Sequence, residues 1–138
     1  MQVFLQVFIT LILLFSVSFA DQYSEVKKFS LKKDQQKKIL VKYDDKEKLF
    51  TFRWTLYVND GLVVLRSFDA QVAQNVLALN HKNQSFRVKI KARSPGSYNT
   101  PYILVKFKEF DYKNNKALFE LYNFNNNLQV NLEELKEK

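Results

Sequence analysis

The residues able to do chemistry in this chain are few and scattered. There is no cysteine and one histidine, so thiolate nucleophiles, disulfides, cysteine-containing zinc sites and multi-histidine metal clusters are all excluded. His81 stands in the polar stretch Asn80-His81-Lys82-Asn83-Gln84. A catalytic imidazole needs a carboxylate to orient it and a nucleophile beside it, and no local motif supplies either, so His81 reads as a loop residue. Asp44, Asp45 and Glu47 match no calcium-loop spacing and read as a hairpin turn. Glu109, Asp111 and Glu120 could form a carboxylate pair of the glycosidase type. Placed among lysines on strands, they read instead as cross-strand ion pairs. With two glycines in the chain there is no phosphate loop, dinucleotide fingerprint or nucleophile elbow. These absences predict a protein that is not an enzyme and needs no cofactor or metal. Asn83-Gln84-Ser85 is a formal glycosylation sequon on an exported chain.

The strongest pattern is one of charge. Lys and Arg outnumber Asp and Glu by 22 to 14, a net +8. No acidic residue lies between Asp69 and Glu109, whereas Lys82, Arg87, Lys89, Lys91, Arg93, Lys106 and Lys108 all do. On an extended strand alternate residues are roughly 6.8 Å apart, so Arg87, Lys89, Lys91 and Arg93 would line about 20 Å of one face. Such a stripe suits a polyanion: lipopolysaccharide phosphate, acidic glycan or nucleic acid. The competing reading is that 18 lysines against 4 arginines keep a sheet soluble, since arginine is the residue of bidentate anion recognition. Ser94-Pro95-Gly96-Ser97-Tyr98-Asn99-Thr100-Pro101 holds both prolines and is the most punctuated loop, with Tyr98 as its natural contact residue.

These groups must be positioned by strands. Phe50, Phe52, Trp54, Leu56 and Val58 alternate with Thr51, Arg53, Thr55 and Tyr57, a period of two. Asn59-Asp60-Gly61 then turns the chain, with positive φ expected at Gly61, into Leu62 to Phe68. Ile39, Val41 and Tyr43 form the inward set of an earlier strand, and Val26 to Leu31 a first one. Ser85 to Arg93 sets Phe86, Val88, Ile90 and Ala92 against four basic residues. Tyr102 to Tyr112 and Ala117 to Phe124 are joined by Lys113-Asn114-Asn115-Lys116. Leu128, Val130 and Leu132 close the series before a polar tail, Glu133 to Lys138, read as a frayed helical turn. Residues 69–84 fit helix or strand and are assigned only as a crossover.

Seven or eight short strands predict an all-β, antiparallel two-layer sandwich, immunoglobulin-like in its layering, with a small barrel as the alternative. Met1 to Ala20 carries no charge, has an apolar run over Leu11 to Phe15, and ends in Ser18 and Ala20, which predicts a signal peptide cleaved before Asp21. An uncleaved anchor is the alternative. Residues 21–138 would then form one periplasmic or secreted domain without a membrane span. Its expected role is that of a non-enzymatic binding or accessory module of the cell envelope, meeting another protein through a sheet edge or the 94–101 loop. The alternative is a polyanion-binding protein using Arg87, Lys89, Lys91, Arg93 and Tyr98.

Overall fold

The computed structural model describes Tyr23 and residues 25–92, 100–125 and 128–136, with only the backbone of Glu25. The expected signal peptide, Arg93 and Tyr98 lie outside these residues. The described residues form nine strands: β1 (Glu25–Lys32), β2 (Lys37–Tyr43), β3 (Lys46–Val58), β4 (Gly61–Phe68), β5 (Gln71–Ala78), β6 (Ser85–Lys89), β7 (Tyr102–Asp111), β8 (Lys116–Phe124) and β9 (Asn131–Leu135). They form two antiparallel sheets, β1-β8-β7-β6 (sheet A) and β5-β4-β3-β2-β9 (sheet B). The sheets are layered as the expected sandwich, and not closed into the alternative barrel. The ambiguous stretch 69–84 contributes β5, the strand beyond the expected number. Glu133–Leu135, expected as a frayed helical turn, belongs to β9, where pairing with β2 satisfies its backbone.

Two-residue turns set the registers of sheet B. Asp44–Asp45, Asn59–Asp60 and Asp69–Ala70 all have positive φ, between 46° and 63°. This is the geometry that suits the right-handed twist of paired strands, and Asn and Asp tolerate it because their short polar side chains bond locally. The expectation of positive φ at Gly61 is corrected: Asn59 and Asp60 make the turn, and Gly61 is already paired with Val58 in the β3–β4 ladder. A side chain at Gly61 would stand 3.2 Å from Val76, which explains the glycine by close approach.

The core is aromatic and lies between the layers. Phe50, Phe52 and Trp54 of β3 meet Phe86, Phe110 and Phe119 of sheet A, and Phe107 packs beside Phe119, all buried. Trp54 donates its indole N–H to the Leu31 carbonyl at 2.7 Å, so the one polar atom of this side chain is satisfied. Each sheet also has a bulge at the same end of the sandwich: the β3–β4 register shifts between Trp54 and Leu56, and the β7–β8 register between Phe107 and Glu109. An extra residue flips every later side chain to the opposite face. Tyr57 therefore turns inward and stacks on Phe110, ring centroids 4.1 Å apart, with Trp54 edge-on to the same ring at 5.6 Å. The alternation expected to bury Leu56 and Val58 is overturned for the same reason. Both face outward, about half exposed.

Candidate functional site

Two surfaces stand out, on neighbouring margins of the sandwich. The first is the outer face of sheet A beside β6. Arg87 and Lys89 project outward and are exposed, while Phe86 and Val88 point into the core. Arg87 pairs with Leu104 and Lys89 with Tyr102 across the β6–β7 ladder. The Arg87 guanidinium lies 4.7 Å over the Tyr102 ring, a cation–π contact. Tyr102 in turn stacks on Phe124 at 4.7 Å and meets Tyr23, whose hydroxyl is 3.3 Å from its own. Burial, reinforced by the Tyr23 hydroxyl, pushes the Tyr102 phenol up, against a smaller opposing effect of Arg87.

The expected four-residue stripe is shorter than the sequence suggests. β6 ends at Lys89, and Lys91 bends away to pair with Asp44 at 3.1 Å. Arg93 and Tyr98, which would extend it, fall in the undescribed 93–99 stretch. Farther along the same face Glu120 is held by Lys28 and Lys108, each at 3.9 Å, and by the Tyr122 hydroxyl. It is a charge-neutralising centre on the sheet. Asp111 accepts the backbone N–H and side-chain N–H of Asn114, which holds its carboxyl below the usual range. Glu109 is exposed on β7 opposite Leu118. Asp44 and Glu47 are likewise engaged, with Lys91 and Lys42. Among the described residues no group of His, Asp and Glu side chains could hold a metal ion. His81 is exposed in the turn between β5 and β6, where its carbonyl accepts the Gln84 N–H.

The second surface is the free edge of β5, which the sequence did not single out. Among the described residues the sandwich has four edge strands, and three are guarded. β1 carries three lysines, β6 is five residues long with Arg87 and Lys89, and β9 is five residues long with Glu133 and Glu134. Short length and charge are the usual protections of a sheet edge. β5, Gln-Val-Ala-Gln-Asn-Val-Leu-Ala, has eight residues and no charge, and Val72 is 76% exposed.

The hydrogen bonds at one end of β5 define its open side. The Ala78 N–H donates to the Asn83 carbonyl at 3.3 Å, and the Asn83 side-chain amide donates to the Val76 carbonyl at 2.9 Å. The sequon asparagine is thus a cap on the last turn of this edge. Even-numbered residues of β5 therefore direct their backbone groups away from β4. By the alternation of an antiparallel ladder Val72 and Gln74 do the same, and no strand among the described residues lies beyond them. Val72 and Val76 present their side chains on the outer face, where the β3–β4–β5 register sets Leu56, Val63 and Val76 in one row. The bulge at Thr55 is what places Leu56 there.

The signal that could have located this edge is present in the sequence: residues 70–81 contain no Lys, Arg, Asp or Glu. What it could not reveal is that this stretch ends a sheet. No helix among the described residues is long and apolar enough to cross a membrane. No family model, no curated protein and no solved structure matches the chain significantly.

Proposed function

We propose that this protein is an exported, non-enzymatic binding module of the cell envelope that takes up an extended segment of another protein along β5. The observation that carries this reading is the uncharged eight-residue edge with Val72 three-quarters exposed and the Val72 and Gln74 backbone groups directed outward. An incoming strand gains main-chain hydrogen bonds from such an edge, and alternate side chains supply selectivity. Leu56, Val63 and Val76 extend the apolar contact onto the outer face of sheet B. An apolar surface of this kind on an otherwise strongly basic protein supports the reading of an interaction site.

The test places a photo-crosslinking amino acid at Val72 and, as a control, at Tyr112, which is equally exposed at the far end of β7. The expected result is one stoichiometric adduct from position 72 that survives high salt and disappears when Gln74→Pro blocks the edge. Equal, heterogeneous adducts from both positions would overturn the reading.

A second reading rests on Arg87. Its planar guanidinium is laid over Tyr102 beside the exposed Lys89, and neither cation has a carboxylate partner among the described residues. This favours an anionic polymer on the outer face of sheet A, periplasmic or secreted like the first. Its mark is steep salt dependence, measurable by retention on immobilised heparin.

A further inference from the structure

Three cations of sheet B point between the layers, and two of them follow one rule. Lys37 sits 4.7 Å over the Phe29 ring and pairs with Glu134 at 3.2 Å. Lys48 lies over Tyr43 and Phe68 and pairs with Asp69 at 3.0 Å. Each thus has an aromatic face and a carboxylate. The third, Arg66 of β4, lies 5.1 Å over the Phe86 ring and donates its Nε–H to the Asn75 side-chain carbonyl at 2.7 Å. It has the ring, but among the described residues no carboxylate. Burial pushes its pKa down, yet a guanidinium does not give up its proton in a protein, so the charge stays. A charge drawn into the space between layers is ordinarily matched by an opposite one.

The two margins of sheet B show where the missing charge belongs. At one margin β9 lies beside β2 and brings Glu134 to Lys37. At the other margin the sheet stops at β5. Arg66 is directly opposite Ala73 in the β4–β5 register, and the alanine methyl leaves the way from Arg66 to the free edge short. A strand added to β5 would run two strand spacings from β4, about 9.6 Å, a gap that an arginine and a glutamate reaching toward each other close.

The geometry points to a partner strand that carries a carboxylate on its inward side chain next to Ala73, paired with Arg66, and apolar side chains on its outward side beside Val72 and Val76. The inference rests on β5 being the pairing edge and adds what that edge selects. An acidic segment also complements the +8 charge of the chain, which opposes association with a second copy of itself.

The test uses a display library of seven-residue peptides in which valine alternates with a randomised position, selected against the purified protein. Against the unmodified protein, Asp and Glu are expected to be enriched about tenfold over Asn and Gln at one randomised position, the scale of a charge-assisted hydrogen bond. Arg66→Gln should abolish the preference while retaining peptide binding, and Arg66→Glu should turn it toward Lys and Arg. Arg66→Lys, which keeps the charge, should preserve it if the other variants fold poorly. Peptides that bind and compete with one another but show no acidic preference would overturn the role of Arg66 and leave the edge intact. No enrichment beyond that of the Gln74→Pro protein would overturn the edge itself.

Discussion

β5 and β6 are consecutive strands that close neighbouring margins of the two layers, on the same side of the sandwich. They solve the problem of being an edge in opposite ways. β6 is five residues long and alternates buried Phe86 and Val88 with exposed Arg87 and Lys89, so any strand approaching it meets two positive charges. β5 is longer, uncharged, and exposes Val72 and Val76. Charge on an edge strand is the common device against pairing. Its presence on β6 and absence from β5 separates a charged, water-facing margin from the uncharged one proposed to take up another backbone. The covering of β5 stops at Asn83, which caps Val76 and Ala78 and leaves the Val72–Gln74 stretch open.

The largest effect tests the backbone polarity of β5. Ala73→Pro removes a donor that faces β4 and should destabilise the fold by about 1–3 kcal/mol. Gln74→Pro removes a donor that faces the open edge and should change stability by less than about 0.5 kcal/mol. Urea unfolding of the two variants checks this, and equal losses would mean that the β5 ladder runs in the other sense. Next, exchanging the protections should exchange the behaviour. With the photo-crosslinking amino acid moved to Leu56, Val72→Lys with Val76→Lys should abolish the adduct that this position otherwise forms, without unfolding the protein. Arg87→Val with Lys89→Val should create a second sticky edge, seen as new oligomers in size-exclusion chromatography.

Arg87→Ser with Lys89→Ser should also lower the logarithmic salt slope of heparin retention by about 2, roughly one per lost contact, if β6 is an anion surface. An unchanged slope would leave β6 with protection as its only role. Smaller still is the effect of Ala70→Gly in the turn that leads into β5. Ala70 has φ 63°, and relieving a left-handed alanine should raise stability by about 1 kcal/mol in thermal or urea unfolding.

The smallest effect is a titration at the β6 margin. The Tyr102 phenol is raised above its ordinary 10.0, so its contribution to stability is complete below pH 10 and fades as pH rises through the folded-state value. Ultraviolet titration should show this tyrosine ionising late, and later again in Arg87→Ser, because Arg87 favours the phenolate. Tyr57, raised to about 12 chiefly by its hydrogen bond to Tyr112, follows the same sign. Changing Tyr112→Phe separates the two signals.

Much of this architecture could be read from residue order. Ile39, Val41, Phe50, Phe52 and Trp54 are buried where a period of two puts them, and Asp-Asp and Asn-Asp mark the hairpins of sheet B. These are local properties: side-chain alternation and the backbone preferences of a few residues decide them before any long-range contact forms. The candidate site was legible only in part. Arg87 and Lys89 were visible as a basic stripe, but the Lys91 partner, Asp44, is 47 positions away in the chain. β5 was visible only as an uncharged stretch that periodicity left between helix and strand.

Sequence alone therefore determined that this chain is built of strands, which residues fill its core up to the bulges, and where its positive charge is concentrated. Tertiary structure decided the rest. The bulges in β3 and β7 exist where two layers must fit Tyr57, Trp54 and Phe110 together, and they turned Leu56 and Val58 out to solvent against the local pattern. Which strands became edges followed from the pairing order of strands distant in the chain, β1 with β8 and β2 with β9. A strand has an edge only relative to its sheet, so the open side of β5, and the Arg66 charge behind it, exist only once the whole sheet has formed.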